Sequence, residues 1–224
     1  MKYLLRIAPL ALAILTTGAN ADSLLLGSYA TGAINPGVIN TSTVYAPAES
    51  KVSNSSVTTY ALSPGSTWHA ALPNSTYVSY DPNTAPGGSV VAPNGDYIYR
   101  SSFSLTASQA ANSIGSLTVL ADDTVAIFLN NNLILAAASP KGAGNSYSMC
   151  SDVAPNCLTP LTFSFNGLSA GLNVLTFDVK QVNLVDEGLD FSGSITSVPE
   201  PTTLAFLSTG LLSLASLMRR RFNT

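Results

Sequence analysis

Between residues 22 and 197 apolar and polar side chains alternate with a period of two, and almost nowhere with the 3.6-residue period of an amphipathic helix. In Tyr97–Leu105, Tyr97, Tyr99, Phe103 and Leu105 fall on one face of an extended chain and Arg100, Ser102 and Ser104 on the other, the pattern of a half-buried strand. Leu117, Val119 and Ala121 alternate likewise, as do Val125, Ile127 and Leu129. Further strands are predicted at Leu24–Ser28, Val38–Tyr45, Val57–Leu62, Thr67–Ala71, Thr76–Tyr80, Leu133–Ala137, Leu161–Phe165, Leu172–Lys180 and Leu189–Thr196. Turn formers separate them, among them Asn35-Pro36-Gly37, Ser63-Pro64-Gly65, Asp81-Pro82-Asn83, Pro93-Asn94-Gly95-Asp96 and Asn166-Gly167. The predicted helix is a single turn near Ala107–Asn112. Short strands punctuated by Gly, Pro and Asn predict an all-β fold, an antiparallel β-sandwich over 22–197. A chain of that length buries about 70% of its unfolded surface, enough for one core.

Composition adds what the pattern cannot. Only 9% of the 224 residues are charged, and the charges are segregated. Residues 22–198 carry four basic side chains (Lys51, Arg100, Lys141, Lys180) against eleven acidic ones. Such a segment lacks the clustered Lys and Arg that nucleic-acid binding requires. One histidine and two cysteines exclude a four-ligand zinc site and argue against histidine-dependent catalysis, so the body is expected to be non-enzymatic.

Three constellations in the body carry candidate chemistry. Cys150 and Cys157 are expected to form a disulfide that staples a short loop. Asp122-Asp123, at a strand junction, reads first as turn chemistry. Its oxygens are also weak calcium candidates, and acid/base catalysis there would need a second carboxylate such as Asp178, Asp186, Glu187 or Asp190. No other cofactor is expected. Trp68, Tyr77 and Tyr80 are candidates for an aromatic platform that stacks on sugar rings, with core packing as the alternative.

The two ends are of a different kind. Lys2 and Arg6 precede the apolar run Ile7–Leu15, and Ala19-Asn20-Ala21 is a small-x-small cleavage site before Asp22. Residues 1–21 are therefore expected to be a signal peptide handed to the secretion machinery and cut between Ala21 and Asp22. At the other end Val198-Pro199-Glu200-Pro201 precedes an uncharged stretch from Thr202 to Met218 and then Arg219-Arg220-Arg221. As a helix that stretch would span about 25 Å, the short end of the transmembrane range. The three arginines would hold it as a stop-transfer, cytoplasmic by the positive-inside rule.

Residues 198–224, in this order and spacing, resemble the PEP-CTERM sorting signal of exported proteins of Gram-negative bacteria. The resemblance implies recognition of Pro199, Glu200 and Pro201 by an exosortase, a membrane-embedded cysteine enzyme. It also implies transient insertion in the inner membrane, tail processing, and delivery to the cell envelope, cell surface or extracellular matrix, where extracellular polysaccharide is an expected neighbour.

A second resemblance covers about 66–197. Tyr97-x-Tyr99-Arg100-Ser101-Ser102-Phe103-x-Leu105, followed by Leu117-x-Val119-x-Ala121-Asp122-Asp123-x-Val125-x-Ile127-x-Leu129-Asn130, is similar to the galactose-binding-like jelly rolls. There one strand ends in Ala-Asp-Asp and the next in Leu-Asn-Gly; here Asn131 stands in place of the glycine. The resemblance implies a jelly-roll sandwich, and with it the alternative function of a carbohydrate-binding module, calcium-assisted or not.

Overall fold

The computed structural model describes residues 22–28, 49–52, 55–139, 153–182, 184–197 and 210. The chain divides into two compact units, one of residues 21–198 and one of residues 1–20 with 199–224. In the second unit the described residue is Gly210, which is helical. The expected strand at Val38–Tyr45 lies outside the described residues. Among the described residues no helix is long and apolar enough to cross a membrane.

The body is built from β1 (Asp22–Gly27), β2 (Glu49–Val52), β3 (Ser55–Thr58), β4 (Tyr60–Leu62), β5 (Tyr77–Ser79) and β6 (Gly95–Leu105). The helical turn α1 (Ala107–Ala111) follows, then β7 (Ser113–Asp122), β8 (Thr124–Leu129), β9 (Asn132–Leu135), β10 (Leu161–Phe165), β11 (Gly171–Gln181) and β12 (Gly188–Ser197). Sheet one runs β10-β7-β12-β5-β4, with β1 also paired to β12; sheet two runs β3-β2-β6-β11-β8-β9. All the pairings are antiparallel. From β6 to β8, and again from β10 to β12, the chain crosses to the other sheet at every strand, which is the path of a jelly roll.

Alternation decides which side chains meet between the sheets. Tyr99, Phe103 and Leu105 of β6 and Leu175, Phe177 and Val179 of β11 point inward from sheet two, and meet Leu117, Val119, Phe191 and Ile195 of sheet one. Phe177 and Phe191 stack across the gap with ring centroids 4.3 Å apart. The period-two pattern thus reports a real inner face, and the predicted all-β sandwich is what the chain forms.

α1 is the predicted helical turn, started by a capping box in which Thr106 accepts from the backbone of Gln109 while the Gln109 side chain accepts from the backbone N–H of Thr106. The β8–β9 hairpin turns on Asn130 and Asn131, with φ of 49° and 67°. Two left-handed residues in succession define the tight hairpin turn that suits a twisted ladder. Asn131 therefore adopts the left-handed backbone conformation that a glycine supplies most readily. Asn131→Gly is expected to leave stability unchanged or slightly raised, whereas Asn131→Ala is expected to cost about 1–2 kcal/mol because a Cβ disfavours that conformation. Urea unfolding of the two variants checks this; an Ala variant as stable as the parent would contradict it.

Two expectations are corrected. Thr67–Ala71 is not a strand but part of a loop, folded by Trp68 N–H to Pro64 O (3.2 Å) and His69 N–H to Cys157 O (2.7 Å). Val57–Leu62 is divided between two strands, β3 in sheet two and β4 in sheet one.

Candidate functional site

β7 and β11 end, and β8 and β12 begin, at one end of the sandwich, and this end gathers the acidic side chains. Leu120 and Tyr77 project from the outer face of sheet one, where Leu62, Trp68, Leu72 and Cys157 cover them in a second apolar cluster. The Trp68 ring lies 4.9 Å from that of Tyr77, and its Nε1–H donates to Asp122 Oδ2 at 2.9 Å. Asp190, the register partner of Leu120 on β7, accepts from Ser28 Oγ (2.7 Å) and from the Leu72 N–H (2.8 Å). Two carboxylates thus anchor the loop that closes over the sheet.

Glu187 is completely buried and joins the sheets. It accepts from Ser79 Oγ of sheet one at 2.5 Å and from Tyr99 Oη of sheet two at 2.7 and 2.8 Å. Asp123 accepts from the Val182 N–H at 2.7 Å, which ties the β7–β8 turn to the β11–β12 connection.

Burial is the main electrostatic influence on these groups. It pushes Glu187 from the ordinary 4.5 to about 7, against the pull of the Ser79 and Tyr99 hydroxyls. Asp122 is raised well above the usual carboxylate range by burial and then by the charge of Asp123, with Asp186 and Glu187 adding to it and the Trp68 N–H opposing. Asp123, Asp186 and Asp190 are also raised, each chiefly by burial. The Tyr77 hydroxyl is buried without a hydrogen-bond partner, and its pKa is raised by burial and by Asp190 and Asp122.

The fold therefore brings Asp122, Asp123, Asp186, Glu187 and Asp190 into one region, which their separation in sequence does not reveal. Asp178 is apart from them on β11, in register with Ile98 and Ala126. Asp122, Asp123, Glu187 and Asp190 already accept hydrogen bonds from groups that hold loops and strands in place. Among the described residues no group of three or more His, Cys, Asp or Glu side chains is arranged to hold a metal ion.

The sugar platform is also corrected. Trp68 is 5% exposed and Tyr77 is fully buried, so neither ring can present a face to a glycan. Tyr80 is half-buried, its ring stacked on Tyr97 at 5.1 Å. Cys157 is completely buried and is not a free thiol. Its expected partner Cys150 lies outside the described residues, as do Ala21, Pro199, Glu200, Pro201 and Arg219–Arg221.

What the structure does fix is where the tail leaves the body. Ser197 is the last residue of β12, paired with Ser113 of β7 on one side and with Asp22 of β1 on the other. The Pro-Glu-Pro sequence begins two residues beyond it. Residues 197–221 match the PEP-CTERM protein-sorting motif. The match covers the tail and not the body. A PEP-CTERM tail implies an exported, envelope-associated protein processed by an exosortase, a membrane enzyme. No curated protein matches the chain. Among solved structures the body is similar to a family 35 carbohydrate binding module from Clostridium thermocellum, at 16% identity and a TM-score of 0.33, over 58% of this chain and 84% of that one. That likeness says nothing about a ligand.

Proposed function

We propose that this chain is a non-catalytic exported protein, delivered to the cell surface or extracellular matrix through recognition and removal of its C-terminal tail. The observation that carries this reading is the PEP-CTERM match at 197–221, directly after the last strand of the folded body. In this reading the signal peptide ends at Ala21, and Thr202–Met218 inserts transiently in the inner membrane. Arg219–Arg221 stop it there, and Pro199, Glu200 and Pro201 are presented to the exosortase. The prolines favour an extended backbone with no helix upstream, the form a processing enzyme takes into its cleft. A Cys150–Cys157 disulfide, closing a short loop in an oxidising compartment, belongs to the same reading.

Structural use of Asp122, Asp123, Glu187 and Asp190 supports a body without catalytic work. The alternative of a calcium-assisted carbohydrate-binding module has lost Trp68 and Tyr77 from its platform, and Tyr80 alone is too little surface to carry it.

Replacing Pro199-Glu200-Pro201 by three alanines is expected to leave a chain whose mass still runs to Thr224 and which stays in the inner membrane. The parent should be recovered from envelope or medium with its tail removed. Identical masses and identical fractionation of the two would overturn the sorting reading.

A further inference from the structure

Asp22 and Ser197 are register partners in neighbouring antiparallel strands. The expected signal-cleavage junction and the start of the sorting tail therefore leave the body side by side, at the same end of the sandwich. β6 and β8 finish at this end, and β7 and β11 begin here. Among the described residues the stretches that form it, besides the start of β1, are 104–116, 128–134, 164–174 and 192–197, and none of these contains an Asp, Glu, Lys or Arg. Asp22 itself is the exception. Asp96, Asp122, Asp123, Lys180, Asp186, Glu187 and Asp190 all lie in the opposite half.

From this placement we infer that the charge-free end of the sandwich is the surface the body turns toward the lipid bilayer while its tail is still attached. The inference rests on the reading of Thr202–Met218 as a transient membrane segment. Three arguments support it. Val198–Pro201 is the whole spacer between Ser197 and Thr202, and the five Cα–Cα steps between those two residues reach at most about 18 Å even when fully extended. The end from which the spacer leaves cannot stand farther from the bilayer than that. The electrostatics agree: an anionic membrane surface repels acidic side chains within a Debye length, and this body gathers Asp96, Asp122, Asp123, Asp186, Glu187 and Asp190 toward the far end, with Asp22 alone of the described acids at the near one. Finally, Ile114, Leu133 and Leu172 are 45%, 57% and 65% exposed at the charge-free end. Apart from Asp22, the described stretches there carry no charge that has to be stripped of water when the end approaches lipid headgroups. The acidic end would then face outward, away from the membrane.

The test uses the full chain in its native host, with Pro199-Glu200-Pro201 replaced by alanines so that the tail stays on. A photoreactive amino acid is placed at Ile114, Leu133 or Leu172, and in parallel at Val91 or Leu184, which are exposed at the acidic end. All five side chains are exposed, so the replacements leave the core intact. Irradiated membranes are extracted and the protein is weighed for phospholipid adducts. The expected result is lipid labelling at 114, 133 and 172 at least tenfold above that at 91 and 184. Equal labelling at the two ends, stronger labelling at 91 and 184, or protein adducts in place of lipid at 114, 133 and 172 would overturn the inference while leaving the sorting reading intact. A chain absent from the membrane fraction would overturn both.

Discussion

Trp68→Ala is expected to destabilise the body by about 3–5 kcal/mol, the cost of removing a large aromatic from a closed core. The ring is 5% exposed, packs on Tyr77 and covers Leu120 in the cluster outside sheet one. Gly188 adds to the constraint, because a Cβ built there would lie 2.8 Å from the tip of the indole. Trp68 also holds Asp122 through its Nε1–H, so truncation leaves a buried carboxylate oxygen without that donor. Trp68→Phe separates the two contributions. It keeps most of the packing and removes the hydrogen bond, with an expected loss of about 1–3 kcal/mol. Urea unfolding of both variants supplies the numbers. A Trp68→Ala variant within about 0.5 kcal/mol of the parent would behave like a surface substitution and return the residue to the role of a glycan-stacking side chain.

How this residue reads in sequence shows where one-dimensional patterns stop. The long strands β6, β7, β8, β11 and β12 were legible because each has one face in the main core, and alternation is the direct print of that face. The Asp122-Asp123 junction and the Asn130-Asn131 turn were legible because the side chains bond or bend locally. Thr67–Ala71 alternates too, yet it is a loop. Trp68 packs on the outer face of sheet one and donates to Asp122, 54 residues farther along the chain, and nothing local records that contact. β12 shows the same limit. Asp190, between buried Leu189 and Phe191, looks like an outward residue on a half-exposed strand, but the loop containing Leu72 covers it. An acid flanked by large apolar residues was the available signal. The tail was legible for the opposite reason: its motif, apolar stretch and arginines form a linear address that needs no fold.

Glu187 leads to the second large effect, an inverted dependence of stability on pH. Many proteins gain stability as pH rises from the carboxylate range, because their carboxylates are better stabilised when ionised in the folded state. Here the sign is reversed. Glu187 is raised from 4.5 to about 7 by burial, so between those values the folded protein holds a proton that the unfolded chain has released. Folding then takes up a proton, and stability falls with rising pH. The contribution is complete below pH 4.5 and is lost as pH passes through 7; at one pKa unit per 1.36 kcal/mol its full size is about 3 kcal/mol. Asp122, Asp123, Asp178, Asp186 and Asp190 are all shifted upward as well, so they act in the same direction as Glu187 and do not cancel it. Unfolding of the processed protein in urea at pH 5 and at pH 8 is therefore expected to give the lower midpoint at pH 8. Glu187→Gln places a neutral group of the same shape against Ser79 and Tyr99, and should reduce the difference between the two midpoints by the Glu187 share. A parent protein that is more stable at pH 8 than at pH 5 would mean that the carboxylate between the two sheets is ionised in the folded state. The Ser79 and Tyr99 hydroxyls would then outweigh burial.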